Sequence, residues 1–187
     1  MDNHSSPEKT YKIGILLIDG FALMSYSSVI EPLRAGNLLG KKALYQVDHI
    51  AVGNKREIIS SSGAVIPATT SISENKDYDL ILVVAGGDPS RFNDEQTFQW
   101  LRNKARYGVR LGGVSAGPVI LANAGVMKGY RMTVHWEHAA ALSENTPTLL
   151  LERSLYIMDR DRITCAGGVA RMDMMHALQS EIHGSEF

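Results

Sequence analysis

The stretch "GGVSAGPVILANAG", residues 112–125, decides the fold. A mostly apolar run from Val109 to Val114 stops at Ser115, the small pair Ala116-Gly117 follows, and a helix-like pattern then ends on Gly125. A strand that turns this abruptly into a helix pushes the side chain at the turn out of the sheet and into a cleft, where enzymes place nucleophiles. Ser115 is therefore read in two ways. It is either a nucleophile or a small polar residue in a pocket whose exposed backbone N–H groups hold an acceptor without chemistry.

Outward from the elbow, short apolar runs alternate with amphipathic stretches. Ile13 to Ile18 ("IGILLI") and Leu80 to Ala85 ("LILVVA") have the continuous apolar character of strands buried on both faces, and Tyr45 to Val52 alternates like a strand. Ser27 to Leu39 is expected to be a helix with Ile30, Leu33 and Leu38 toward a core and Gly40 as its stop. Asp94 to Tyr107 is a second, with Phe98, Leu101 and Ala105 on one stripe; residues 116–124, His135 to Ser143 and Gly168 to His183 follow. Arg56 to Ala68 predicts a hairpin around Ser62-Gly63, and Leu155 to Met158 with Ile163 to Ala166 predicts another around "DRDR". The alternation implies an α/β domain with a mainly parallel sheet and helices on both faces. Ligands of such sheets bind beyond the carboxyl ends of the strands. Three loops fall there: Asp19-Gly20, Gly86-Gly87-Asp88 and Ser115-Ala116-Gly117.

The 187 residues suit one domain, and a 44% hydrophobic content allows a sizeable core. With 19 basic and 20 acidic residues the net charge is -1, which gives no footprint for nucleic acid or an anionic membrane. A single cysteine, Cys165, excludes an internal disulfide and suits a reducing compartment. No window reaches the roughly 18 consecutive apolar residues of a membrane span. "MDNHSSPEKT" lacks the basic and apolar regions of a secretory signal, so residues 1–10 are expected to be a disordered polar lead-in to a domain at 11–187 of a soluble cytoplasmic protein.

Four segments together carry a resemblance: "VIEPLRAGN" (29–37), "VVAGG" (83–87), "GGVSAGPVILANAGVMKGYRMTVHW" (112–136) and "ITCAGGVARMDMMHAL" (163–178). The chain after residue 10 resembles the amidotransferase-like, PfpI-type domain at the N-terminus of AraC-type transcriptional regulators. Its "EPLRAGN" (31–37) and "CAGGVARMD" (165–173) resemble the subgroup that governs carnitine, betaine and arginine catabolism. The resemblance implies a flavodoxin-like sheet sandwich of the class I glutamine amidotransferase type. It also implies a C-terminal helix-turn-helix module, expected to be missing here because the chain stops at "HGSEF". Its implied role is effector sensing: a small metabolite, such as a quaternary amine or an amino acid, controls DNA binding by that absent module, in a homodimer. No cofactor and no metal is implied.

In enzymes of the wider superfamily the elbow carries a cysteine, contacted by an acid on the first helix and often near a histidine. Here Glu31 is matched to the acid, His135 to the histidine, and Gly86 and Gly87 to oxyanion-hole amides, but serine replaces the cysteine. A serine hydroxyl needs a placed base and an orienting acid, and no orienter is evident. The expectation is a non-enzymatic pocket built from Glu31, Gly86, Gly87, Asp88, Ser115, Ala116, Gly117, His135, Trp136 and Gly167. The alternative is a hydrolase or hydratase using Ser115 with His135. Trp136 is either a wall for a quaternary ammonium or core packing, and Cys165 is a buried inert thiol. The histidines of "HWEH" (135–138) lack a third ligand for a metal.

Overall fold

The structure is a computed structural model that describes residues 9–185. Residues 1–8 of the expected lead-in, and residues 186 and 187, lie outside the described residues. Lys9 and Thr10, placed in the lead-in, are tied to the domain: Lys9 Nζ pairs with Asp79 at 2.6 Å and Thr10 Oγ1 donates to the Ala43 carbonyl at 2.9 Å.

The first apolar run is β1 (Tyr11–Leu17), paired in parallel with β2 (Tyr45–Ala51) on one side and β6 (Leu80–Ala85) on the other. β6 pairs in parallel with β7 (Arg110–Ser115), the strand of the elbow, and β7 pairs in parallel with β11 (Arg162–Cys165). The antiparallel hairpin partner β10 (Tyr156–Asp159) and the two-residue β5 (Thr70–Ser71) close the edges. The resulting seven-stranded sheet has the order β10-β11-β7-β6-β1-β2-β5. Residues 56–68 form the expected hairpin, β3 (Glu57–Ile59) with β4 (Val65–Pro67), outside the main sheet. A further small pair joins β8 (Arg131–Met132) to β9 (Leu150–Leu151).

Both faces of the sheet are covered, which is why its central strands are apolar without alternation. Ile13, Ile15, Leu17, Leu80, Leu82 and Val84 pack in one core beneath α1 (Leu23–Leu39) and α5 (Ala170–His183). Leu16, Ile18, Ile81, Val83 and Ala85 pack in the other, beneath α2 (Glu95–Arg106) and α3 (Gly117–Asn123), with α4 (Trp136–Asn145) contributing Leu142. α2 starts where Asp94 caps it, the carboxylate accepting from the Thr97 amide at 2.9 Å.

Two sequence expectations for the first helix need correction. α1 begins at Leu23 rather than Ser27, because an apolar start hides the boundary: its N-cap is Ala22, with no capping side chain. Its buried face is Ser25, Val29, Pro32, Leu33 and Gly36, which turns Leu38 outward to 67% exposure instead of toward the core.

Candidate functional site

The elbow is built by close packing. Ser115 ends β7 at φ 59°, in the left-handed region that side chains rarely adopt. The chain then drops so near its neighbour that a Cβ on Gly117 would sit 2.1 Å from the Val83 carbonyl oxygen. Ser115 is half-buried, Ala116 is buried, and the Ala116 amide faces the Ala85 carbonyl at 3.4 Å. That amide, expected to be open to a ligand, is thus already directed at β6.

The loops after β1 and β6 meet by a second close approach. A Cβ on Gly86 would come within 2.6 Å of the Gly20 carbonyl oxygen. Between these loops, the loop after β2 and α3 lies a cleft of about 390 Å³ at the carboxyl ends of the strands. Two ion pairs bracket it. Asp19 pairs with Lys55 and accepts from the Ile59 amide at 3.0 Å, which also fastens the β3–β4 hairpin to the loop after β1. Burial raises the Asp19 carboxyl, but the Lys55 and Ile59 hydrogen bonds outweigh it and hold the group below the ordinary carboxylate value. Asp88 accepts from the Ser90 amide and hydroxyl and pairs with Arg91 at 3.4 Å. The Ser90 hydroxyl and amide hold its carboxyl low. Ile18, Val52, Pro89 and Phe92 supply the apolar walls.

Of the residues predicted from sequence, Gly86, Gly87 and Asp88 line this cleft. His135, Trp136 and Gly167 form a second group. The His135 and Trp136 rings lie 5.5 Å apart, and a Cβ on Gly167 would meet the His135 ring at 2.8 Å. His138 joins them, 6.1 Å from His135, and lines a smaller cavity with Asp88. Burial, reinforced by His135, lowers the His138 pKa. Trp136 is 76% exposed, so it is not core packing.

Ser115 and His135 are not joined. No described residue hydrogen-bonds to Ser115 Oγ, and His135 Nδ1 faces Glu137 at 3.5 Å. Glu31 is not brought to the elbow either. It lies on the exposed side of α1, paired with Arg34 at 2.7 Å, because the helical repeat gives the inner face to Val29, Pro32 and Leu33. Among the described residues no three His, Cys, Asp or Glu side chains converge to hold a metal ion.

Sequence reasoning missed Lys55 and Arg91. Their signal was position alone: Lys55 and Arg91 follow the carboxyl ends of the parallel strands β2 and β6 by a few residues, where ligands of such sheets bind.

This sheet order, with helices on both faces and an elbow after β7, defines a flavodoxin-like α/β domain. Residues 11–181 match the DJ-1/PfpI family, and the chain belongs to it. It is 41% identical to the HTH-type transcriptional regulator GlxA of Rhizobium meliloti (strain 1021), over 98% of this chain and 56% of that protein. It is 38% identical to the HTH-type transcriptional regulator CdhR of Pseudomonas aeruginosa, over 91% of this chain and 50% of that protein. Among solved structures, an AraC family transcriptional regulator from Pseudomonas putida superposes with a TM-score of 0.85 at 26% identity, covering 94% of each chain. These relatives are regulators rather than enzymes, and the chain spans about half the length of the two curated ones. No helix among the described residues is long and apolar enough to cross a membrane.

Proposed function

We propose that the chain is the effector-binding part of a cytoplasmic transcriptional regulator, in which a small metabolite bound at the strand ends controls DNA binding by a domain outside this sequence. The full protein acts as a homodimer whose two states bind the effector unequally, since a ligand shifts an equilibrium only through differential affinity. Ser115 lines the elbow and is not a nucleophile.

The observation that carries this reading is the cleft bracketed by the Asp19–Lys55 and Asp88–Arg91 pairs. A zwitterion such as an amino acid or a betaine can exchange with half of each pair. Its carboxylate takes Lys55 or Arg91 and the amides of Gly86 and Gly87. Its cationic end takes Asp19 or Asp88, with the Phe92 ring as a wall. The lack of contact between Ser115 and His135 speaks against the hydrolase or hydratase alternative, which needs a base on the hydroxyl.

Thermal melting against quaternary amines and amino acids tests the proposal. A ligand at a hundredfold its Kd adds about 2.7 kcal/mol of apparent stability, and Lys55→Ala and Arg91→Ala should weaken that response. A panel with no responder, or a responder indifferent to both substitutions, would overturn it.

A further inference from the structure

Arg171 stands on the buried stripe of α5 with Met174, Met175 and Leu178, and is 5% exposed. The spacing of these residues puts a guanidinium where the helix otherwise buries apolar side chains. A guanidinium does not give up its charge in a protein, and a buried charge calls for a partner of opposite sign. Arg171 has none among the described residues. Its hydrogen bond runs from Nη1 to Ser25 Oγ on α1, at 2.8 Å. Nε is fully buried with no acceptor. The neighbouring Cys165 cannot supply the charge, because burial pushes its thiol above the ordinary value and keeps it neutral.

The surroundings add positive potential. Ser25 and Arg171 belong to the first turns of α1 and α5, so their hydrogen bond ties two helix N-termini together. Both helices start without a capping side chain, at Ala22 and Val169, whereas Asp94 caps α2. The first turn of α1 holds no acid, and the Asp173 of α5 is exposed. Two uncapped helix starts and a buried guanidinium thus converge with no anion between them.

We propose that a small-molecule carboxylate completes this cluster, bound on the Nε–Nη2 edge of Arg171 between the first turns of α1 and α5. That edge offers two parallel N–H donors, the fork that matches a planar carboxylate, and one carboxylate balances one guanidinium. None of the residues lining the cleft takes part, and the site does not depend on the sensing role proposed above.

Acetate is the probe, with acetamide as its neutral counterpart, added to the 187-residue chain at constant ionic strength. Acetate should raise Tm by several degrees in a saturable way, and acetamide should not. Arg171→Met should lose the response, while Ser25→Ala, which keeps the charge, should retain it with a midpoint moved a few-fold. The Nε–H resonance of Arg171 in the unmodified chain should shift along the same acetate titration, which keeps the test decisive if Arg171→Met does not fold. The proposal fails if acetate does no more than chloride, if acetamide matches it, if Arg171→Met responds like the parent, or if the resonance does not move. It also fails if Tm instead follows protein concentration alone, because the carboxylate would then come from a second copy of the chain.

Discussion

Gly117 and the Val83 carbonyl are in contact so close that any side chain at 117 would have to displace β6: a Cβ there would lie 2.1 Å from the oxygen. The obstacle is backbone in the middle of the sheet, not the tip of a side chain that can swing away. Gly117→Ala should therefore destabilise the fold by at least the 1–3 kcal/mol typical of overpacking. Urea denaturation measures it, and a loss under about 0.5 kcal/mol would mean that α3 can shift away from the sheet.

Ser115 makes the opposite case. Its φ of 59° costs a side-chain-bearing residue about 1 kcal/mol, and its hydroxyl has no described partner that would be lost on substitution. Ser115→Ala should leave stability unchanged within about 0.5 kcal/mol, and effector binding with it. Ser115→Val should cost on the order of 1–2 kcal/mol, because a β-branched residue tolerates positive φ least. Ester or amide turnover that disappears in Ser115→Ala would instead establish the enzyme reading.

The contrast between these two neighbours shows what sequence could convey. The elbow, the three loops at the strand ends and most of the sheet were legible, because continuous apolar runs such as Leu80–Ala85 have few other places to go. The DRDR hairpin was legible for the same reason, with apolar strands on both sides of a charged turn. β5, β8 and β9 were not, since two residues carry no periodicity. Glu31 was drawn into the pocket by its place in a motif, yet it is two residues from both buried Val29 and Leu33, about half a helical turn round, which puts it on the solvent side. Lys55 and Arg91 come from separate loops, and only the folded sheet brings them to one cleft. The same holds for Arg171 and Ser25, 146 residues apart in the chain.

Two histidines should make stability pH-dependent. Burial lowers the His49 pKa against the opposing charge of Asp48, and burial together with His135 lowers that of His138, both from an ordinary value of 6.5. The unfolded chain therefore takes up these protons before the folded one does. Their contribution is fully present above pH 6.5 and is lost as pH falls through the depressed folded values. Urea midpoints between about pH 5 and 8 should decline on the acid side, and His49→Gln combined with His138→Gln should flatten that decline. An unchanged acid limb in the double variant would assign it to carboxylates such as Asp19, which act in the same direction at lower pH.

The charges proposed to hold an effector can be separated by experiment from those that merely decorate a helix. Glu31 and Arg34 form an exposed pair three residues apart on α1, with side chains 57% and 60% exposed, and such pairs contribute about 0–1 kcal/mol to stability. Glu31→Gln should change neither fold nor ligand response. Trp136→Ala removes a ring that is already 76% exposed, so it should move stability by less than about 0.5 kcal/mol. Arg91→Ala removes a cation from the rim of the cleft and leaves Asp88 with its Ser90 hydrogen bonds, so the local turn should persist while a carboxylate-bearing effector binds less tightly. The Arg91 side chain is 87% exposed, so solvent screening limits the loss to on the order of 1 kcal/mol. Calorimetry on these three variants with one responding effector gives the ranking directly. If Glu31→Gln weakens binding and Arg91→Ala does not, the effector sits beside α1, and the cleft at the ends of β1, β2 and β6 is not its site.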